Sequence, residues 1–152
     1  MLAHPYAPQM APSPNLSAFE GRWLLRPDQC HYEFGLPPQQ GIYIIQLHSD
    51  GRVSLTSRWT TPSGRLHVLR FTGRLDGKPH PLIGSRIADA IQLDYVSPTQ
   101  LNSSAWHDGQ KVMWAERMLT LPDVLRIDVH GSLANGAIYT NTDVYRRASS
   151  EP

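Results

Sequence analysis

Residues 41–60 read GIYIIQLHSDGRVSLTSRWT. Two runs of alternating character flank Asp50-Gly51, and the length of the turn between them decides which side chains share a face. With Asp50-Gly51 as a two-residue turn, Ile44 opposes Ser57, Gln46 opposes Leu55, and both faces are mixed. With Ser49-Asp50-Gly51 as a three-residue loop and Gly51 in the left-handed position, His48 opposes Arg52. Tyr43, Ile45, Leu47, Val53, Leu55, Ser57 and Trp59 then form one face. Ile44, Gln46, His48, Arg52, Ser54, Thr56 and Arg58 form the other. A slip of one residue would turn every side chain over, so the register with a clean apolar face is selected, with that face inside.

The same alternation extends through the chain. It predicts strands near 21–26, 41–48, 52–60, 65–75, 89–96, 99–107, 110–119, 123–130 and 136–147, with short pieces near 30–35 and 79–83. Turn signals separate them at Pro62-Ser63-Gly64, Asp76-Gly77, Ser97-Pro98, Asp108-Gly109, Leu121-Pro122-Asp123 and Asn135-Gly136. No long amphipathic helix is present. Residues 15–19 suit one short turn capped by Asn15 or Ser17, and residues 85–91 a turn or two. The predicted fold is an all-β, antiparallel up-and-down barrel of about eight to ten strands. Inward residues are His67, Leu69, Phe71, Gly73 and Leu75, then Ile91, Leu93 and Tyr95, then Leu125, Ile127 and Val129. The hairpin over 99–119 admits two registers. A two-residue Asp108-Gly109 turn groups Leu101, Ser103 and Ala105 with Val112, Trp114, Glu116 and Met118. A one-residue slip groups them with Met113, Ala115 and Arg117. The first is preferred, because small Ser103 and Ala105 leave room for Trp114.

Composition narrows the classes. A chain of 152 residues, 40% hydrophobic and carrying a net charge of +1, suits one domain with a sizeable core. Its twelve arginines are scattered along strands rather than clustered, so no nucleic-acid partner is expected. No apolar run is long enough for a membrane helix, and no membrane partner is expected. Residues 1–15 hold prolines at 5, 8, 12 and 14 and read as an extended arm, not a secretory signal. The barrel is placed at 16–148 and a tail at 149–152. The single Cys30 excludes an internal disulfide, reads as a small half-buried hydrophobe, and fits a cytoplasmic location. The seven histidines show no metal-binding spacing. No metal and no cofactor are expected.

The opening GRWLL (21–25), the central DGKPHPLIGSRIADAIQL (76–93) and the closing DVYRR (143–147) resemble the calycin superfamily, the lipocalins and fatty-acid-binding proteins. The likeness is nearest to small bacterial lipocalin-like domains and spans about residues 18–147. The likeness implies a barrel; its closed end needs a plug, which Trp23 suits, with Arg147, or second Arg146, stacked on the indole and Gly21 allowing close passage of the chain. It also implies that the last strand presents a ligand-gripping pair. Fatty-acid-binding proteins carry Arg-x-Tyr there, and this chain has Asp143-x-Tyr145. An acid in place of that arginine argues against a carboxylate at this position. Asp143 suits a cation, an amine or a hydroxyl of a ligand, or equally an internal Arg, Tyr or Asn.

In the last strand Tyr139, Asn141, Asp143 and Tyr145 share one side, and Ile138, Thr140, Thr142 and Val144 the other. With the first set inward, the expected ligand-binding residues are Tyr43, Trp59, Phe71, Tyr95, Trp114, Tyr139, Asn141, Asp143 and Tyr145. Aromatic groups with polar tips suit a small amphipathic molecule, or else fill the barrel themselves. Non-catalytic binding of such a molecule is the first functional expectation. A small cyclase, isomerase or lyase is the second, with Asp143 or Glu116 as acid or base and Tyr145 or Tyr43 positioning a substrate oxygen. A homodimeric interaction module built on the Arg-rich outer wall and the N-terminal arm is the third.

Overall fold

A computed structural model describes residues 14–149; residues 1–13 and 150–152, which hold most of the predicted arm and tail, lie outside the described residues. Eleven strands run in chain order: β1 (Gly21–Leu25), β2 (His31–Tyr32), β3 (Gln40–Leu47), β4 (Arg52–Thr60), β5 (Leu66–Arg74), β6 (Pro79–Pro81), β7 (Ala90–Ser97), β8 (Gln100–His107), β9 (Gln110–Leu121), β10 (Val124–Ser132) and β11 (Ile138–Arg147). Single 3-10 turns at Ser17–Phe19 and Pro27–Gln29 are the helical elements among the described residues. Asn15 Oδ1 accepts from the Ser17 amide and hydroxyl at 3.1 and 2.7 Å.

Neighbouring strands pair antiparallel in the order β5-β4-β3-β1-β11-β10-β9-β8-β7-β6, and the sheet rolls into an up-and-down barrel. The ends of that order meet without a ladder. Gly73 of β5 lies against His80 of β6, and the Phe71 ring folds back over Gly73, so that a Cβ there would stand 2.5 Å from the ring. β1 and β2 are two lengths of one edge along β11. Leu25 pairs Tyr145, the 3-10 turn at Pro27–Gln29 swings out, and Tyr32 rejoins opposite Asn141.

The hairpin over 41–60 adopts the three-residue loop. Tyr43 pairs Ser57, Ile45 pairs Leu55 and Leu47 pairs Val53, with Gly51 at φ 88°. Tyr43, Ile45, Val53 and Leu55 are buried. From the inward sets on β5, β7 and β10, Phe71, Leu93, Leu125 and Ile127 are core residues, whereas His67 is exposed and stacks on Trp59.

The hairpin β8–β9 corrects the sequence reading. Its turn has two residues, both left-handed, with Asp108 at φ 50° and Gly109 at φ 77°. One strand position further on, a bulge intervenes: Trp106 pairs Lys111, but Ala105 pairs Met113. The extra residue turns the rest of β9 over, so Ser103 opposes Ala115 and Leu101 opposes Arg117. The preferred grouping with Trp114 and Glu116 inside is therefore wrong for this hairpin. The physical reason lies in the partners. Glu116, outside, meets His130 Nε2 at 2.8 Å, and Arg117, inside, meets Tyr43 and Ser103.

At one end the barrel is packed solid around Trp23, Phe19, Ile45, Leu93, Leu101 and Leu125, all fully buried. Trp23 Nε1 donates to the Phe19 carbonyl at 2.9 Å. The Arg147 guanidinium lies 4.3 Å from the Trp23 ring centre and donates to the carbonyls of Glu20 and Ala18, each at 2.8 Å. Gly21, at φ 138°, passes so close that a Cβ would sit 2.9 Å from Arg147 Nη1. One side chain thus joins β11 to the chain entering β1. Replacing Arg147 by Ala removes the stacking, the two bonds to carbonyls and an exposed pairing with Asp123 at 3.1 Å, and is expected to cost about 2 kcal/mol. Urea unfolding followed by tryptophan fluorescence measures this, and Arg147→Lys should recover less than half of it.

Candidate functional site

Above the packed end the interior opens into a cavity of about 400 Å³. Its wall is mostly apolar: Leu55, Trp59, Leu69, Phe71, Ile91, Ala105, Met113, Ala115, Ile127 and Val129 all border it. Leu82 and Ala88, from the segment joining β6 to β7, and Pro38, ahead of β3, stand at the mouth. That end also bears exposed apolar side chains, Leu36, Leu66, Ile83 and Ile87.

Besides serines and tyrosines, one basic and one acidic side chain interrupt the apolar wall. The first is Arg117. Its Nε donates to the Tyr43 hydroxyl at 2.9 Å and its Nη1 to Ser103 Oγ at 2.7 Å, and its guanidinium lies 5.8 Å from the Tyr43 ring centre. Tyr43 stands 5.8 Å from Tyr145, ring centre to ring centre. Arg117 crosses the lumen from β9 to β3, and this layer forms the cavity floor. No carboxylate lies within 4.0 Å of the guanidinium among the described residues.

The second is Asp143. It borders the cavity, and its Oδ1 accepts from the Tyr32 hydroxyl at 2.7 Å. Burial pushes its carboxyl above the usual range, against the hydrogen bonds from Tyr32 and Cys30, which pull it down. Burial, with the charge of Asp143 beside it, likewise raises the phenol of Tyr32. Tyr145 is pushed well above its ordinary value, chiefly by burial and then by Asp143. Cys30 donates to the Arg26 carbonyl at 3.4 Å, and its thiol is pushed up to about 11, first by burial, with Asp143 adding to it.

Of the residues singled out from sequence, Tyr43, Trp59, Phe71, Asp143 and Tyr145 are brought together around the cavity. Trp114 borders it, but its ring stacks on His130 in the outer row that also holds Glu116, with centres 5.6 Å apart. Tyr95 packs against the core at the solid end and is not among the cavity residues. Tyr139 and Asn141 serve the segment after β2 instead. Tyr139 packs against Phe34 with ring centres 5.2 Å apart and the rings tilted, and Asn141 Oδ1 accepts from the Glu33 and Phe34 amides at 3.0 and 3.1 Å. Glu116 stands outside the lumen with His130, whose Nδ1 meets Thr140 Oγ1 at 2.8 Å. Tyr32 was missed, because a two-residue strand carries no alternation to read. Arg117 belonged to the rejected register. Among the described residues no group of three or more His, Cys, Asp or Glu could hold a metal ion.

No protein-family model and no curated protein matches the chain. Solved structures do. Wild-type fluorescent protein UnaG is 12% identical, with 86% of this chain and 97% of that one covered and a TM-score of 0.55. The S-type phycobiliprotein lyase CPES from Guillardia theta is 11% identical over 90% and 92%, with a TM-score of 0.56. EF1p2_mFAP2b bound to DFHBI is 15% identical over 86% and 94%, with a TM-score of 0.54. The likeness is one of fold, an antiparallel up-and-down β-barrel. Within this barrel, Arg117 enters the lumen from β9, while the final strand contributes Asp143 and Tyr145.

The buried acid sets a pH dependence. Below the ordinary carboxylate value of 3.8, Asp143 is protonated in folded and unfolded chains alike and nothing is lost. As pH rises, the unfolded chain releases its proton first, so the folded state loses stability until its own higher pKa is passed. The melting-temperature gap between Asp143→Asn and wild type should therefore grow in favour of the variant above about pH 4 and then level off. Cys30 supplies an independent check. At pH 8 a thiol with a pKa of about 11 is thiolate roughly one part in a thousand, so iodoacetamide should label the folded protein about a hundredfold more slowly than the urea-unfolded chain.

Proposed function

We propose that this barrel binds a small, flat, amphipathic molecule with an acidic group, which it holds at Arg117, and that it does so without catalysis. The observation that carries this is a guanidinium turned into an apolar cavity with only neutral partners, Tyr43 and Ser103. A charge taken from water into such a place is costly unless an opposite charge meets it. The guanidinium has five N–H donors, and two are engaged by those partners. The donors left over suit a carboxylate or sulfonate.

The remaining wall supplies the apolar contact. Trp59, Phe71, Leu55, Leu69 and Ile127 offer flat and branched surfaces, and a cavity of about 400 Å³ suits a molecule of two to four fused or linked rings. The acidic replacement on the last strand, which argued from sequence against a carboxylate ligand, is offset by an arginine arriving from another strand. That EF1p2_mFAP2b, a barrel of like fold, is bound to DFHBI supports a small-molecule reading of this barrel.

Titration with 8-anilinonaphthalene-1-sulfonate tests the reading. One saturable site with a blue-shifted emission is expected. Arg117→Met should weaken it about tenfold, the loss of a charge-assisted hydrogen bond, and should leave the uncharged N-phenyl-1-naphthylamine within about twofold. No saturable site for either dye, or a sulfonate affinity indifferent to Arg117→Met, would overturn it.

A further inference from the structure

We infer that Asp143 forms a second polar pole of the cavity and takes an O–H or N–H donor from the same ligand, so that the ligand class is a flat aromatic acid bearing a hydroxyl or N–H at its far end. This rests on the reading of Arg117 as the acid-binding residue.

The register places the two poles. Ile127 of β10 pairs Arg117 on one side and Asp143 on the other. Their Cα atoms therefore stand two strand spacings apart, about 10 Å, at one level of the barrel. All three residues border the cavity. The surface between the poles is the Ile127 side chain, flanked by Ala115 and Val129. A rigid molecule lying across Ile127 meets a cation at one end and a carboxyl at the other.

Asp143 is built to accept there. Tyr32 donates to Oδ1 at 2.7 Å, and Tyr32 is itself held by the pairing of β2 with Asn141. The phenol fixes the carboxyl's orientation and occupies one oxygen. The Cys30 thiol also reaches this carboxyl, a weak donor beside the phenol. The two oxygens of a carboxyl offer about four acceptor sites, so beside the Tyr32 phenol and the weak thiol donor Asp143 keeps the capacity to accept an O–H or N–H from a ligand in the cavity. The shape of the site follows: an acid at Arg117, a ring system over Ile127, and a donor at Asp143.

The test uses a matched set at pH 7 on the full chain, read by calorimetry: 6-hydroxy-2-naphthoate, 6-methoxy-2-naphthoate, 2-naphthoate and 2-naphthol. In wild-type protein the hydroxy acid should bind about tenfold more tightly than the methoxy and unsubstituted acids, one hydrogen bond's worth. In Asp143→Asn that advantage should fall to within about twofold, because the amide turns a donor toward the ligand's donor. Arg117→Met should weaken all three acids alike and leave 2-naphthol unchanged. The comparison among the acids in wild-type protein needs no variant, so it stands even where a substitution disturbs folding. If none of the acids binds, the reading of Arg117 falls and this inference with it. If the three acids bind equally well, in wild type and in Asp143→Asn, the second pole alone is overturned.

Discussion

A strand gives each side chain one of two faces, and a single inserted residue exchanges them for everything that follows. The interior of this protein hangs on one such insertion. The bulge that sets Ala105 opposite Met113 sends Arg117 inward and Glu116 outward. Without it a carboxylate would enter the lumen from β9, facing a wall that already contains Asp143, and two acids would repel each other in a place poor in water. With it, the lumen holds one cation and one acid, and Tyr43 and Ser103 hold the cation in place.

That arrangement divides the barrel along its axis. Below the Arg117–Tyr43–Tyr145 layer, fully buried residues around Trp23 fill the space and carry the stability. Above it, the walls are apolar but not filled. The solid end is also where the chain is tied together, since Arg147 reaches from the last strand to the carbonyls of Ala18 and Glu20. Rigidity at one end lets the other remain open without the sheet losing its register.

The sequence was legible wherever one face was clearly apolar. The 41–60 hairpin, the inward sets on β5, β7 and β10, and the strand positions all follow from alternation and turn chemistry. Legibility failed where the two faces were matched in character. On β9 both registers offered a large side chain, a charge and a methionine, so the pattern could not tell Trp114, Glu116 and Met118 from Met113, Ala115 and Arg117. A bulge leaves no mark in composition. Tyr32, the partner of Asp143, sits in a strand too short to have a period. The polar side of β11 was visible, but only half of it reaches the cavity. Asn141 lies where β2 joins the strand and Tyr139 beyond it, and there they fasten the crossing segment instead.

The join between β5 and β6 gives the barrel a property that a fully laddered one lacks. Elsewhere around the wall, adjacent strands are held at a fixed spacing by backbone pairing, and the circumference cannot change without breaking several bonds together. Between β5 and β6 no ladder forms among the described residues, and Gly73 packs against His80 and the Phe71 ring. The perimeter is therefore a clasped belt rather than a welded ring. Its one loose point borders Phe71, which lines the cavity. A guest somewhat larger than the resting volume can be taken in by easing that clasp, at the cost of contacts and not of ladder hydrogen bonds.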